Sequence, residues 1–399
     1  MNRLESDKKL RILFINLYTE MGGGEYALYY LLKEINRTKF APIVMFNNRG
    51  PYVDKIESLG IETIMIPYPA IMLKELIRPA KLLEFTSSAR TIFKYFRKHK
   101  VDVIHCHDVL SLLLITFPVL ILRIPVIYSV IFFYEWSRVL LFNLLSIILI
   151  NRIITHSSIV RDDLQKRTIF LSRRISTIHQ GVDTSICRPR RTGEKNILRG
   201  ELEIPDTMKV IGMVGRFDPL KGHEIFLKAA SLVVQRKSDI KFVIVGGFLM
   251  SGTKKLFENY YHEILEHCQQ LHLDRHVIFL GHRDDIPDVL RSLDGLVISS
   301  YHEGYGLVLL EGLASGIPVV VSRRVGALEV VKGHDGLFIA EPGEPSSFAE
   351  KILEMMAYAQ NTPTHSPDAA KFSSISWSHS ARRFENVSLS IFNAQGITD

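Results

Sequence analysis

Short runs of aliphatic and β-branched residues alternate along this chain with longer stretches whose apolar positions recur at helical spacing. In the first half the runs are RILFI (11–15), PIVMF (42–46), TIMI (63–66), DVIHC (102–106), VIYSV (126–130), RIITH (152–156) and ISTIH (175–179). In the second half they are VIGMV (210–214), KFVIV (241–245), VIFL (277–280), GLVIS (295–299), PVVV (318–321) and GLFI (336–339). Continuous apolar runs suit strands covered on both faces. Helical stretches between them give the βαβ pattern of a parallel sheet. Two such sets predict an α/β chain with two doubly wound, Rossmann-like domains.

The polar, basic stretch TSICRPRRTGEKN (184–196) interrupts the pattern and predicts a seam, with domains over 1–190 and 191–370. NTPTHSPDAA (361–370) reads as a loop. A final helix over 376–393 places Trp377, Phe384, Val387 and Ile391 near helical spacing, so that 371–399 forms a C-terminal helical segment, expected to cross back to the N-terminal domain as in similar proteins. Segment 109–150 is the most apolar. Its longest uninterrupted run, VLLFNLLSIILI (139–150), falls short of the roughly 20 residues of a membrane span. It is expected to form buried helices and strands of the first domain.

Composition narrows the class. With 399 residues, 47% hydrophobic and 23% charged, the chain is globular and long enough for two cores. Cys106, Cys187 and Cys268 are scattered, with no CxxC or Cys/His spacing, which argues against disulfides or structural zinc and for a reducing, cytoplasmic setting. The opening MNRLESDKKLRILFIN has too short an apolar stretch for a signal sequence. The net charge of +7 is uneven: residues 1–185 hold 25 Lys and Arg against 16 Asp and Glu, the remainder 24 against 26. A basic half predicts an anionic partner. Within it, ARTIFKYFRKHK (89–100) sets Arg90, Lys94, Arg97 and Lys98 beside Ile92, Phe93 and Phe96. This amphipathic helix could lie on an anionic membrane or simply pack its aromatic residues inward. No nucleic-acid motif accompanies the charge.

Three glycine-rich turns carry the candidate chemistry. GRFDPLKG (215–222) follows the strand VIGMV. Gly215 permits a sharp turn, while Arg216 and Lys221 offer a fork and a point charge where a helix begins, a combination suited to pyrophosphate. EGYGLVLLEG (303–312) follows GLVIS. Its glycines allow close approach, and Glu303, before the following helix, and Glu311, about one turn inside it, are natural acceptors for sugar and ribose hydroxyls. MGGGEYAL (21–28) follows the first strand and includes Gly23, Gly24 and Glu25; it lacks a full GxGxxG dinucleotide fingerprint. The alternatives are ordinary βα turns, solvated cations and a capping Glu303. No D-x-D occurs, so no metal-diphosphate clamp is expected and no metal or cofactor is called for.

In order and spacing these elements resemble the family 4 retaining glycosyltransferases of the GT-B fold, whose two Rossmann-like domains face a central cleft. GRFDPLKG is similar to the family's G-R-x-x-x-x-K-G element and EGYGLVLLE to its E-x7-E element; ASGIPVVVS (314–322) and GLFI follow in order. The resemblance implies a retaining, metal-independent transfer of a sugar from a nucleotide-diphosphate donor to a saccharide or lipid-linked acceptor. The setting would be cell-envelope polysaccharide or glycolipid synthesis at the inner face of the plasma membrane. By the same likeness Arg216, Lys221 and Glu303 are catalytic. Gly215, Glu311 and the amides of Gly304, Tyr305, Gly306, Leu307 and Val308 hold the donor together with Gly23 and Gly24. His282 and Arg283, in GHRDDI (281–286), lie where the family places the base. Glu25 and His107 remain on the acceptor side. The chain departs from the family in carrying Ile131 where a histidine usually follows VIYSV, and a single Gly326 where the family has two glycines. A sugar-nucleotide epimerase on the same fold, or a binding homologue with impaired catalysis, stays open as an alternative.

Overall fold

The computed structural model describes residues 9–16, 19, 21–68, 78–131, 136–168, 172–247, 254–361 and 369–395. The chain divides into two compact units, Met1–His179 with Trp377–Asp399, and Gln180–Ser376.

The first unit runs β1 (Leu10–Ile15), α1 (Gly23–Glu34), β2 (Phe40–Phe46), α2 (Pro51–Glu57), β3 (Glu62–Met65), α3 (Pro79–Lys98), β4 (Val103–Cys106), α4 (Val109–Leu122), β5 (Val126–Val130), α5 (Trp136–Leu149), β6 (Ile150–Thr155), α6 (Ser158–Arg167) and β7 (Ile175–Thr177). Its described strands form one parallel sheet in the order β3-β2-β1-β4-β5-β6-β7. Successive residues of β1 supply opposite faces: Ile12 and Phe14 join one core, Leu13 and Ile15 the other. Side-chain caps fix where helices begin. Asp108 accepts the Ser111 amide at 2.7 Å to start α4, and Ser157 accepts Val160 at the head of α6.

The second unit runs α7 (Ile197–Glu201), β8 (Lys209–Val214), α8 (His223–Val234), β9 (Ile240–Val245), α9 (Lys254–Gln270), β10 (Val277–Gly281), α10 (Ile286–Arg291), β11 (Gly295–Ile298), α11 (Leu307–Ala314), β12 (Val319–Ser322), α12 (Leu328–Val331), β13 (Leu337–Ala340), α13 (Pro345–Asn361) and α14 (Ala369–Ser374). Its sheet is parallel in the order β10-β9-β8-β11-β12-β13 and also carries a core on each face. Strand order reverses between β8 and β11, the place where open α/β sheets present a crevice at their carboxyl ends. The last helix, α15 (Trp377–Gln395), belongs to the first unit: Trp377 stacks on Tyr30 with centroids 5.4 Å apart, and Glu385 accepts the Asn36 amide at 2.7 Å.

Every strand read from the sequence is present, with ends displaced by two residues at most. The units part at His179/Gln180 and Ser376/Trp377 rather than at 190 and 370. The basic stretch after 184 looks like a linker by composition. Yet Val182 bridges to Ser376, and Cys187 is buried in the second unit's core. Of the loop expected at 361–370, residues 362–368 lie outside the described residues, as do residues 1–8 at the amino terminus. Segment 109–150 is not buried throughout. Its helices pack Leu112, Ile115 and Phe142 inward but leave Phe117, Ile121 and Ile148 exposed. In 89–100 the apolar residues Ile92 and Phe96 face the core, so this helix offers solvent its cations rather than an apolar stripe.

Candidate functional site

The two motifs of the second unit meet at the carboxyl ends of β8 and β11. The turn after β8 is held by contacts that only glycine permits. A Cβ at Gly246 would sit 1.8 Å from the Gly215 carbonyl oxygen, and one at Gly222 2.4 Å from the Ser299 oxygen. Gly222 has φ +69°, in the left-handed region, and opens α8. Ser299 Oγ donates to the carbonyls of Lys221 and Gly222, tying this turn to the end of β11. Phe217 is buried and stacks on the ring of His223 at 4.6 Å. Burial pushes His223 down to about 3, so this ring is a neutral part of the core.

On that frame Lys221 Nζ donates to Glu303 Oε2, and Ser300 Oγ donates to the same oxygen at 3.2 Å. A cation from one motif and a carboxylate from the other therefore share one place. The nearest carboxylate to Arg216 is Asp218, at 3.8 Å, and among the described residues its guanidinium makes no hydrogen bond. The Glu311 carboxylate also has no hydrogen-bond partner among the described residues, and burial raises it to about 7. Gly306, at φ +91°, is the residue before α11; a Cβ there would be 2.8 Å from Val325 and 3.0 Å from Glu303. The Glu303 backbone is itself clamped, its amide donating to Arg324 O at 3.1 Å and its carbonyl accepting from Gly326. Leu307 and Val308 form the first turn of α11, where amides have no acceptor within the helix.

In the first unit the glycine turn is looser. Gly23 and Gly24 begin α1, and Glu25 accepts the Gly22 amide at 3.1 Å. A Cβ on Gly23 would meet nothing within 4 Å; one on Gly24 would meet Ile131 Cδ1 at 3.7 Å. His107 follows β4 and is partly exposed. His105 is buried against Ser129 Oγ at 2.8 Å and lowered well below its usual value, chiefly by burial. His156 Nδ1 donates to the Ile178 carbonyl at 2.9 Å, and burial lowers this group to about 4.

The profile described as Glycosyltransferase Family 4 matches residues 21–186, and that described as Glycosyl transferases group 1 matches residues 194–366. The chain belongs to glycosyltransferase family 4. Its fold is GT-B. It superposes on HepE of Anabaena, solved in complex with UDP and glucose, with a TM-score of 0.80 at 22% identity over 96% of this chain and 99% of that one. It is 28% identical to a D-inositol 3-phosphate glycosyltransferase of Corynebacterium glutamicum over 54% of this chain and 51% of that protein. It is also 23% identical to the UDP-Gal:alpha-D-GlcNAc-diphosphoundecaprenol alpha-1,3-galactosyltransferase of Escherichia coli, over 87% and 88%. The chain spans about half the length of the first group of curated relatives it matches.

Against the family pattern, the structure brings Lys221 and Glu303 together and sets Arg216, Gly215 and the turn 304–308 around the same strand ends. Tyr305 leaves its amide at the turn and turns its side chain inward. Its side chain is buried and its hydroxyl donates to Gln180 O at 2.6 Å, so only its backbone faces the turn. Arg283 is also committed elsewhere, to Glu201 and Asp285 at 2.7 and 2.6 Å; its guanidinium braces the loop after β10. His282 stands exposed beside it, 3.3 Å from Asp284. Sequence reasoning in a family 4 chain missed Gly246, Ser299 and Ser300. The glycine pair closing IKFVIVGG and the serine pair in LVISS were the available signals. Among the described residues no group of three or more His, Cys, Asp or Glu is arranged to hold a metal ion.

Proposed function

We propose that this chain transfers a sugar from a nucleotide-diphosphate donor to a saccharide or lipid-linked acceptor hydroxyl, with retention and without a metal. The observation that carries this reading is the bond between Lys221 and Glu303. It sets a phosphate-binding cation and a hydroxyl-accepting carboxylate at one point of the switch between β8 and β11. In this reading Arg216 and Lys221 take the pyrophosphate, and the first amides of α11 add their dipole. Glu303 accepts a hydroxyl of the transferred sugar and Glu311 the ribose hydroxyls. His282 and the backbone around Gly281 face the base. The acceptor oxygen attacks C1 as the bond from C1 to the phosphate oxygen breaks. The acceptor's proton passes to the departing phosphate oxygen, whose growing charge the two cations meet. The printed names of the relatives support this reading: one protein was solved with UDP and glucose, and another uses a diphosphoundecaprenol-linked acceptor. A cytoplasmic setting fits the donor, because the three cysteines are unpaired and buried.

A specific observation supports a second reading. Ile131, in the place where the family usually has a histidine, sets an apolar side chain beside Gly24. A binding homologue with impaired turnover would bind nucleotide sugars yet transfer none. Product analysis with each donor, with and without acceptor, separates these readings and also exposes an epimerase, which needs no acceptor. Under the main reading Arg216→Ala and Lys221→Ala each lower kcat/KM by roughly 10²–10³ while the fold persists. Near-normal transfer by either variant removes the mechanism.

A further inference from the structure

The sequence leads one to expect that the apolar segment 109–150 is interior, and the structure places part of it outside. Helices α3, α4 and α5 connect strands that step in one direction across the first sheet, from β3 to β4 to β5 to β6. Right-handed crossovers put all three on the same face, and their inward residues share one core. Their outward surface differs from an ordinary solvated one. Phe117, Leu120 and Ile121 on α4, and Leu144, Ile147 and Ile148 on α5, are each between 50% and 60% exposed. The spacing of three and four residues puts each trio on a single helix face, and the two helices pack side by side. Scattered exposed leucines need no explanation, but two adjoining trios form a ridge, and contiguous ridges mark contact surfaces.

The rim of this ridge is cationic. The Phe117 ring meets Phe93 at 5.3 Å, and the Arg97 guanidinium lies 5.9 Å over the far partner, Phe93. At the α5 end, Arg174 donates to the carbonyls of Ser146, Ile147 and Ile150, beside the exposed isoleucines. Arg90, Lys94 and Lys98 are exposed along α3. The sequences of α4 and α5 hold no acidic residue, and the single glutamate of α3, Glu84, is paired with Lys81. A second copy of this chain would bring the same cationic rim against itself, which opposes self-association. An apolar ridge edged by arginines instead matches the boundary between acyl chains and phosphates. Among the described residues no helix is long and apolar enough to cross a membrane.

We infer that the first unit docks on an anionic phospholipid surface through the α4–α5 ridge, with Arg97 and Arg174 meeting lipid phosphates at its edges. The contact lies on the helices of segment 109–150, beside which α3 exposes Arg90, Lys94 and Lys98 together with Leu82 and Leu83 at its start. This inference is independent of the donor reading, because it needs neither nucleotide nor acceptor.

The test is flotation of the full chain with vesicles of phosphatidylcholine alone or mixed with phosphatidylglycerol. Binding is expected to the mixed vesicles, weakening as salt rises. The double variant L120E/I148E, at exposed positions, should lower it by about tenfold or more. Its melting temperature and nucleotide binding report whether the fold and the second unit are intact. Phe117→Trp gives a second readout that keeps the ridge apolar, a blue shift of its emission when mixed vesicles are added. Failure of the unaltered chain to float with mixed vesicles, or equal flotation of the double variant, overturns the inference. A ridge-dependent dimer in sedimentation equilibrium without vesicles overturns it too, by assigning the face to a second copy.

Discussion

The two sheets end in glycine-rich turns of opposite character. In the second unit Gly222, Gly246 and Gly306 are demanded by the protein's own backbone and side chains, and Lys221 is bonded to Glu303 before any ligand arrives. In the first unit Gly23 meets nothing and Gly24 only Ile131, while the nearby histidines are held neutral by burial. Glycines that their own fold does not require leave room for something that is not protein. The difference teaches where each partner is specified. On the proposed reading the donor side is built into the second unit, and the first unit supplies open backbone and an individual set of side chains.

The sharpest way to break this contrast is Gly246→Ala. Its added carbon would collide with the Gly215 carbonyl, and backbone cannot step aside cheaply. A loss of about 3 kcal/mol or more from the second unit is expected in urea melts; unchanged stability would show that this turn is not rigid.

Acidification should separate the units next. His156 has its folded value depressed from 6.5 to about 4, and His105 is depressed too. The unfolded chain binds these protons first, so the stability they allow is present above pH 6.5 and is lost as pH falls towards 4. For His156 the loss is on the order of 2 kcal/mol by about pH 5. In the second unit His223 acts in the same direction, but Glu311, raised from 4.5 to about 7, acts in the opposite one and offsets it. Hydrogen exchange at about pH 7 and about pH 5, corrected for intrinsic rates, should show the first unit loosening and the second nearly unchanged. Equal loosening of both would contradict the assignment of these groups.

Glu311 also makes a smaller, ligand-linked prediction. Hydroxyls that bind its carboxylate favour the charged form, so nucleotide binding releases a proton. Affinity should then rise with pH up to about 7, by at most about tenfold per unit, and level off above it. Calorimetric titration across that range checks this, and Glu311→Gln should flatten the profile.

The smallest effect is the most telling for the first unit. Gly23→Ala adds a methyl group in open space at the start of a helix, so stability should change by less than about 1 kcal/mol, in the favourable direction. Transfer should nevertheless fall, because the room is used by substrate. Unchanged transfer would make Gly23 an ordinary helix start.

The sheet topology was legible because strands covered on both faces must be apolar throughout, and runs such as VIGMV and PVVV have no other economical reading. The second unit's site was legible for a related reason: cations and carboxylates next to glycines at strand ends stand out from their surroundings. What escaped was what depends on partners distant in sequence. Nothing near Tyr305 announces that its hydroxyl reaches Gln180, and nothing near Arg283 announces Glu201. Gly246 closes its strand like any other until its approach to Gly215 is seen. The inward and outward faces of α4 are both aliphatic, so hydrophobicity alone could not tell Leu112 from Leu120.

The central claim is that a sugar nucleotide is held by Arg216, Lys221, Glu303 and Glu311 at the mouth of the second sheet. A thermal-shift screen with UDP, GDP and ADP sugars addresses it directly, since a ligand at about 100 times its Kd adds roughly 2.7 kcal/mol to the folded state. The account predicts that one nucleotide class raises the melting temperature and that R216A/K221A abolishes the rise. A rise undiminished in that double variant, or none with any donor, would contradict it.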